Sequence, residues 1–221
     1  MRKLLIDKLW RGVDPFASFG AGDVDIQGWS GSSHLWLAET IRELQPRLIV
    51  EVGVWKGASV MHMADALWRA SVDDYGQPVS DTGVILAVDT FQGSAEHWLG
   101  EYRVPMRNGR PVLYDQFARN VVAAEAQDYV VPLPIDSINA AMVLTDLGVS
   151  VDMIHLDAAH DAMSVSMDLQ AWWPLLRSGG VLIGDDYDPA FPGVVMAFDA
   201  FAERQGLVLE VSAPKVRLRK P

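Results

Sequence analysis

From residue 33 to the C-terminus, short apolar runs alternate with longer amphipathic stretches. Runs of period two predict strands at Leu48–Gly53, Val84–Asp89, Tyr129–Pro132, Val151–Asp157, Val181–Asp185, Leu207–Val211 and Val216–Leu218. Stretches of period three to four predict helices at Ser33–Leu44, Ala58–Ala70, Leu113–Ala126, Ile138–Leu147, Met163–Leu176 and Val194–Gln205. Leu48, Ile49 and Val50 are apolar on both faces, which suits a parallel strand covered by helices on each side. The expected fold is therefore α/β: a doubly wound, mostly parallel seven-stranded Rossmann-like sheet. Only Ser212 to Lys215 separate the last two strands, too few residues for a helical crossover, so one strand near the C-terminus should run antiparallel.

Two segments depart from this alternation. Residues 1–32 carry Trp10, Phe16, Phe19 and Trp29 among Gly, Asp and Ser, and are expected to form a lid or interface segment ahead of a domain over 33–221. Residues 92–112 mix glycines and prolines with His97, Trp98 and Tyr102. A loop of that length with interleaved aromatics reads as a substrate-covering lid.

Composition narrows the function. The chain has 221 residues, half of them apolar and 21% charged, so one sizeable core can be buried. A net charge of −11 argues against a nucleic-acid partner, because phosphate neutralisation needs a Lys/Arg surface. Lys215, Arg217, Arg219 and Lys220 alternate with other residues and are expected to form an exposed strand face. No apolar run approaches the roughly 18 residues of a membrane span. With cysteine absent and Asp7 and Lys8 interrupting the first apolar run, the expected address is cytoplasmic, with no membrane partner.

Candidate chemistry gathers just past the C-terminal strand ends, where doubly wound sheets bind ligands: Glu51, Gly53, Asp89, Asp136, Asp157, Asp185 and Asp186. The first turn, Glu51-Val52-Gly53-Val54-Trp55-Lys56-Gly57-Ala58-Ser59, has Trp55 where a dinucleotide fingerprint requires glycine, so NAD is disfavoured, and it lacks a P-loop lysine. Asp89, followed by Thr90, is placed to accept ribose hydroxyls. Together these features describe a nucleoside site without a diphosphate.

Glu51-Val52-Gly53 with Gly57, Asp89 after the second strand, and the run from Ile154-His155-Leu156-Asp157 through Gly184-Asp185-Asp186-Tyr187 resemble the class I S-adenosylmethionine-dependent methyltransferases, over roughly residues 33–219. Within that class the chain is similar to metal-dependent O-methyltransferases of the macrocin and mycinamicin type. The resemblance implies S-adenosylmethionine as cofactor, with Glu51, Gly53, Gly57 and Ser59 around its methionine part, Asp89 and Thr90 at the ribose, Asp136 and Ser137 near the adenine, and Asp157 beside it. It rests further on Asp157-Ala158-Ala159-His160 and the Asp185-Asp186 pair. Neighbouring strands lie about 4.8 Å apart, so the carboxylates of Asp157, Asp185 and Asp186 could close on one hard cation, Mg²⁺ first and Mn²⁺ or Ca²⁺ as alternatives. His160 is then the candidate general base, with Asp157 catalytic through the ion. Catechol-type relatives use a lysine as base, and Ala158 and Ala159 replace bulkier or acidic residues.

The expected substrate is a small oxygenated molecule of sugar or natural-product type, its hydroxyl methylated. A homodimer is left open. The competing reading is a non-catalytic nucleoside- or metabolite-binding module that keeps the fold. Among the other histidines, His155 reads as a core residue, His62 as structural, His34 as a helix start and His97 as a long-loop residue, the one of the four for which substrate contact is left open.

Overall fold

The computed structural model describes the whole chain except residues 21, 28, 29, 73, 74, 76, 78–82 and 101; Trp29 thus lies outside the described residues. In chain order the elements are α1 (Arg2–Leu9), α2 (Leu35–Leu44), β1 (Leu48–Val52), α3 (Ala58–Ser71), β2 (Val84–Val88), α4 (Ala95–Leu99), β3 (Met106–Arg107), β4 (Arg110–Pro111), α5 (Leu113–Ala123), β5 (Val130–Leu133), α6 (Ser137–Asp146), β6 (Val151–Leu156), α7 (Ala162–Trp172), β7 (Leu176–Gly184), α8 (Pro192–Gln205), β8 (Glu210–Ser212) and β9 (Lys215–Arg219). The main sheet has seven strands in the order β5-β2-β1-β6-β7-β9-β8. All neighbours are parallel except β9, which runs antiparallel to both β7 and β8. The doubly wound sheet and its reversed strand are as the alternation of patterns predicts.

Strand alternation decides which helices cover which face. Leu48, Val50 and Val52 pack with Leu5 and Ile6 of α1 and the apolar stripes of α6, α7 and α8. Ile49, Ile85 and Met153 point the other way, to α2, α3 and α5. Each fully buried Leu, Ile or Val contributes about 1.5–3 kcal/mol by leaving water. Side chains on this second face at the strand ends include Glu51 and His155, which are direct neighbours in register.

Boundaries shift where local chemistry intervenes. The predicted helix ending at Leu176 stops at Trp172 and tightens into a 3₁₀ turn over Trp173–Leu175, since Pro174 supplies no N–H to an α-helix. The strand predicted to begin at Val181 begins at Leu176, so Gly179 and Gly180 lie within β7. There the register against β6 shifts, and Gly179 takes φ +74°, a left-handed conformation that glycine adopts without steric cost. Residues 92–112 are not one loop: they contain α4 and the β3–β4 hairpin. Of the N-terminal segment, α1 is anchored in the core, Trp10 Nε1 donates to the Pro132 carbonyl at 2.8 Å, and Asp25 exchanges hydrogen bonds with the Asn120 side chain. Among the described residues no helix is long and apolar enough to cross a membrane.

Candidate active site

A cavity of about 510 Å³ opens at the C-terminal ends of β1, β6 and β7. Gly53, Trp55 and Ser59 line it from the β1 turn, Asp157, His160, Asp185 and Asp186 from the adjoining ends of β6 and β7, and Glu96, His97 and Gly100 of the α4 region with Tyr102 complete the lining. Part of the N-terminal segment, Gln27, Gly31 and Ser32, closes another side.

The glycine turn earns its sequence. Gly53 (φ +84°), Trp55 (φ +49°) and Gly57 (φ +89°) all sit in the left-handed region. A Cβ at Gly53 would collide with the Asp157 carbonyl, so only glycine lets β1 and β6 end this close together. At Gly57 a Cβ would meet Met61 and Phe117, which makes that glycine a packing requirement of α3 rather than part of the cavity wall. The amides of Val54 and Trp55 both donate to Asp89 Oδ2, at 2.8 and 3.0 Å, and Phe91 N donates to Oδ1 at 2.7 Å. These are the amides that a pyrophosphate would use in a dinucleotide fold, and the chain's own carboxylate already fills them.

The sequence-predicted residues thus divide. Gly53, Ser59, Asp157, His160, Asp185 and Asp186 come together on the cavity. Glu51 lies directly behind it, fully buried, with Oε1 accepting from Ser59 Oγ and from His155 Nδ1 at 3.0 Å while Oε2 has no partner. Asp89 holds the turn from beneath, and the Thr90 hydroxyl accepts from Gln92 N at 3.2 Å. Asp136 caps α6 by accepting from Asn139 N at 3.0 Å, and Ser137 donates to Asp168 and accepts from Trp172 Nε1 at 2.9 Å.

The acidic wall is partnered by cations. Lys215 Nζ donates to Asp185 Oδ2 and to His155 Nε2 at 2.8 Å, which requires His155 to carry its proton on Nδ1 and pass it toward Glu51. Burial, aided by Lys215, lowers His155 to about 3, so it is neutral; burial lifts Glu51 to about 8 despite its hydrogen bond from Ser59. Burial and then the Asp185 charge raise Asp157 well above the usual carboxylate range, although one side of Asp157 still faces the cavity. His160 Nε2 lies 2.9 Å from Asp186 Oδ2, and that bond raises the imidazole above its ordinary value. Among the described residues, the acids and imidazoles whose ligand atoms lie within 4.8 Å of one another are Glu51, His155 and Asp157.

One expectation is overturned. Lys215 is not on an exposed strand face: it is fully buried, because β9 lies inside the sheet between β7 and β8 and two acceptors compensate the ammonium. Lys220 likewise turns inward, its Nζ bonded to the carbonyls of Trp173 and Leu176 at 2.8 and 2.7 Å. Sequence reading also missed Phe191, whose ring centroid lies 4.6 Å from that of His160, and Glu96 on α4, 3.6 Å from His160 Nδ1. His97 meets Trp55 in a stack with centroids 4.1 Å apart. His34 caps α2 as expected, accepting from Trp36 N.

A family model described as a methyltransferase domain matches residues 50–187, from β1 to just past the paired aspartates. The chain belongs to this methyltransferase family. It carries the fold and glycine turn of the class I S-adenosylmethionine-dependent enzymes. No curated protein sequence matches it. Solved structures similar to this methyltransferase include the calicheamicin methyltransferase CalS11, at 20% identity and a TM-score of 0.61, covering 83% of this chain and 75% of that one. The O-methyltransferase of Bacillus cereus solved with SAH is 17% identical with a TM-score of 0.58, over 90% of this chain and 84% of that one. TomG of Streptomyces achromogenes, an O-methyltransferase of tomaymycin synthesis solved with SAM, is 16% identical with a TM-score of 0.58, over 90% and 83%. At these identities the likeness establishes the fold.

Proposed function

We propose that this methyltransferase moves a methyl group from S-adenosylmethionine to a hydroxyl oxygen of a small, multiply oxygenated molecule. The observation that carries the reading is the His160–Asp186 pair, held 2.9 Å apart in the lining of the same cavity as the glycine turn. The cavity falls in the range of about 300–1,000 Å³ typical of small-ligand sites. Its residues fit the cofactor: Gly53 offers bare backbone, and Glu51 Oε2 and Trp55 Nε1 are buried polar atoms without partners beside the turn. Glu51, Gly53 and Ser59 would hold the methionine end. The cofactor, when bound, supplies an electrophilic methyl on a sulfonium. The similar structures include O-methyltransferases of calicheamicin biosynthesis and tomaymycin synthesis, which supports oxygen as acceptor.

The chain's own chemistry is proton handling. Asp186 accepts from His160 Nε2, which leaves Nδ1, with the Glu96 carboxylate 3.6 Å away, as the nitrogen to take the acceptor hydroxyl's proton. Phe191 packs against the ring and limits its rotation. On methyl transfer the hydroxyl proton would pass to His160, whose imidazolium Asp186 would stabilise. Trp55, His97, Tyr102 and Phe191 line the cavity with rings suited to a cyclic acceptor. The net charge argues against a nucleic-acid acceptor, and a cytoplasmic address belongs to the same reading.

The divalent ion implied by the resemblance is less well served. Asp185 already holds Lys215 and Asp186 already holds His160, so the three carboxylates as they stand do not fit a metal centre. No step here depends on one.

Calorimetric titration with S-adenosylhomocysteine tests the cofactor, and binding in the micromolar range is expected. Incubation with labelled S-adenosylmethionine and panels of sugars and catechols should then place the label on oxygen, as read by NMR. Absence of binding at high micromolar ligand would remove the reading.

A further inference from the structure

We propose that Lys215 is the resident cation of the acidic wall, standing in for the divalent metal implied by the resemblance, so that methyl transfer by this chain runs without a metal ion. The inference rests on the O-methylation reading above for its reaction, and on side-chain geometry for its substance.

The topology delivers the cation. Parallel strands bring their C-terminal ends to the cavity, so a residue at the start of a parallel strand lies at the far edge of the sheet. β9 is reversed, and its first residue therefore arrives beside the end of β7, with Val216 opposite Gly184 and Lys215 next to Asp185. The ammonium is wholly buried, and a buried charge persists only when it is paired and hydrogen-bonded. Both conditions are met: Asp185 Oδ2 and His155 Nε2 accept from it, the latter at 2.8 Å.

The same geometry closes Asp185 to a metal. Its Oδ1 accepts from Asp186 N at 2.8 Å, its Oδ2 is taken by Lys215, and the backbone of Gly31 covers it so closely that a Cβ there would stand 2.7 and 2.8 Å from the two oxygens. Magnesium demands near-octahedral ligands at about 2.0–2.1 Å with room for several waters. It would have to displace the ammonium from the carboxylate it shares, and would meet that ammonium's repulsion in a low-dielectric surround. Asp186 turns instead to His160. Lys215 does not line the cavity, so it is a positioning residue: its bond to Oδ2 fixes Asp185 in place in the cavity wall.

The test uses the full chain and Mn²⁺ as probe, followed by electron paramagnetic resonance. Wild-type protein should leave Mn²⁺ free, and its affinity for S-adenosylhomocysteine and its turnover should be the same in EDTA and in Mg²⁺. Lys215→Met, which uncovers Asp185, should bind Mn²⁺ about tenfold or more tightly than wild type. Lys215→Met combined with Asp185→Asn removes both charges, should fold even if the single variant does not, and should again ignore Mn²⁺. One Mn²⁺ per wild-type chain, activity lost in EDTA and restored by Mg²⁺, or equal Mn²⁺ affinity in wild type and Lys215→Met would each overturn the proposal. Failure of S-adenosylhomocysteine to bind any form would instead remove the methyl-transfer reading and leave the Mn²⁺ result intact.

Discussion

The two walls of the cavity solve one electrostatic problem in different ways. Both place carboxylates at the ends of buried parallel strands. On the β1–β2 side Asp89 is satisfied by three backbone amides, those of Val54 and Trp55 in the turn after β1 and that of Phe91 two residues beyond Asp89 itself. On the β6–β7 side Asp185 and Asp186 are satisfied by the side chains of Lys215 and His160. A backbone amide cannot titrate or leave, so the first arrangement makes shape. An imidazole can exchange its proton, so the second makes chemistry.

The largest expected effect is on the chemical wall. His160→Ala should lower kcat by roughly 10²–10⁴-fold with S-adenosylhomocysteine affinity unchanged in calorimetry. Because Asp186 raises His160, the wild-type rate should fall as pH drops through a value above the ordinary 6.5. Asp186→Asn should move that limb to lower pH; an unmoved limb would separate the pair from the base function.

Next comes the shape wall. Asp89→Ala strands buried amides and should cost roughly 2–4 kcal/mol of stability in urea unfolding, with cofactor binding weakened because the turn loses its support. If the cost stays below about 0.5 kcal/mol, within the range of ordinary surface changes, the amides have found other partners and the contrast between the walls fails.

Glu51 sharpens the comparison, since it sits behind both walls. The folded state holds its proton up to about 8 whereas the ordinary value is 4.5, so the unfolded chain releases a proton that the fold retains, and stability falls as pH rises through that window. His155 works oppositely. Lowered from 6.5 to about 3, it stays neutral in the fold while the unfolded chain takes up a proton, and stability falls as pH drops below 6.5. Between about 6.5 and 8 the His155 contribution no longer changes while that of Glu51 does, so Glu51→Gln should make the decline in thermal midpoint across that interval shallower than in wild type. A variant that declines in parallel with wild type would show Glu51 ionised throughout.

The smallest effect belongs to the rim. His97→Ala removes the stack on Trp55 and should change stability by no more than ~1 kcal/mol. A loss as large as that of Asp89→Ala would make α4 part of the scaffold.

Much of this was legible in the chain. Continuous apolar strands such as Leu48 to Val50 dictate a sheet covered on both faces, and the short Ser212–Lys215 connection dictates a reversed strand, because both follow from local geometry and burial alone. Gly53, Asp157, His160, Asp185 and Asp186 could be named from position, since parallel strands deliver their C-terminal residues to a common edge. Local chemistry within 92–112 was legible only in part: its aromatics marked a rim, but a five-residue helix and a two-residue-per-strand hairpin are too short to leave a periodic trace.

What the tertiary structure alone decided is who partners whom. That Asp89 also takes the amides of Val54 and Trp55, from a turn more than thirty positions earlier, is written in no local pattern. His155 could be read as a core histidine, which it is, but not as the link between Glu51 and Lys215. Lys215 read as a solvent-facing lysine because alternation along a strand tells which residues share a face, not whether another strand covers that face. The reversed β9 carries it into the sheet's interior beside an acid 30 positions earlier in the chain, and pairing at that separation is set by topology and desolvation, to which no local pattern is sensitive.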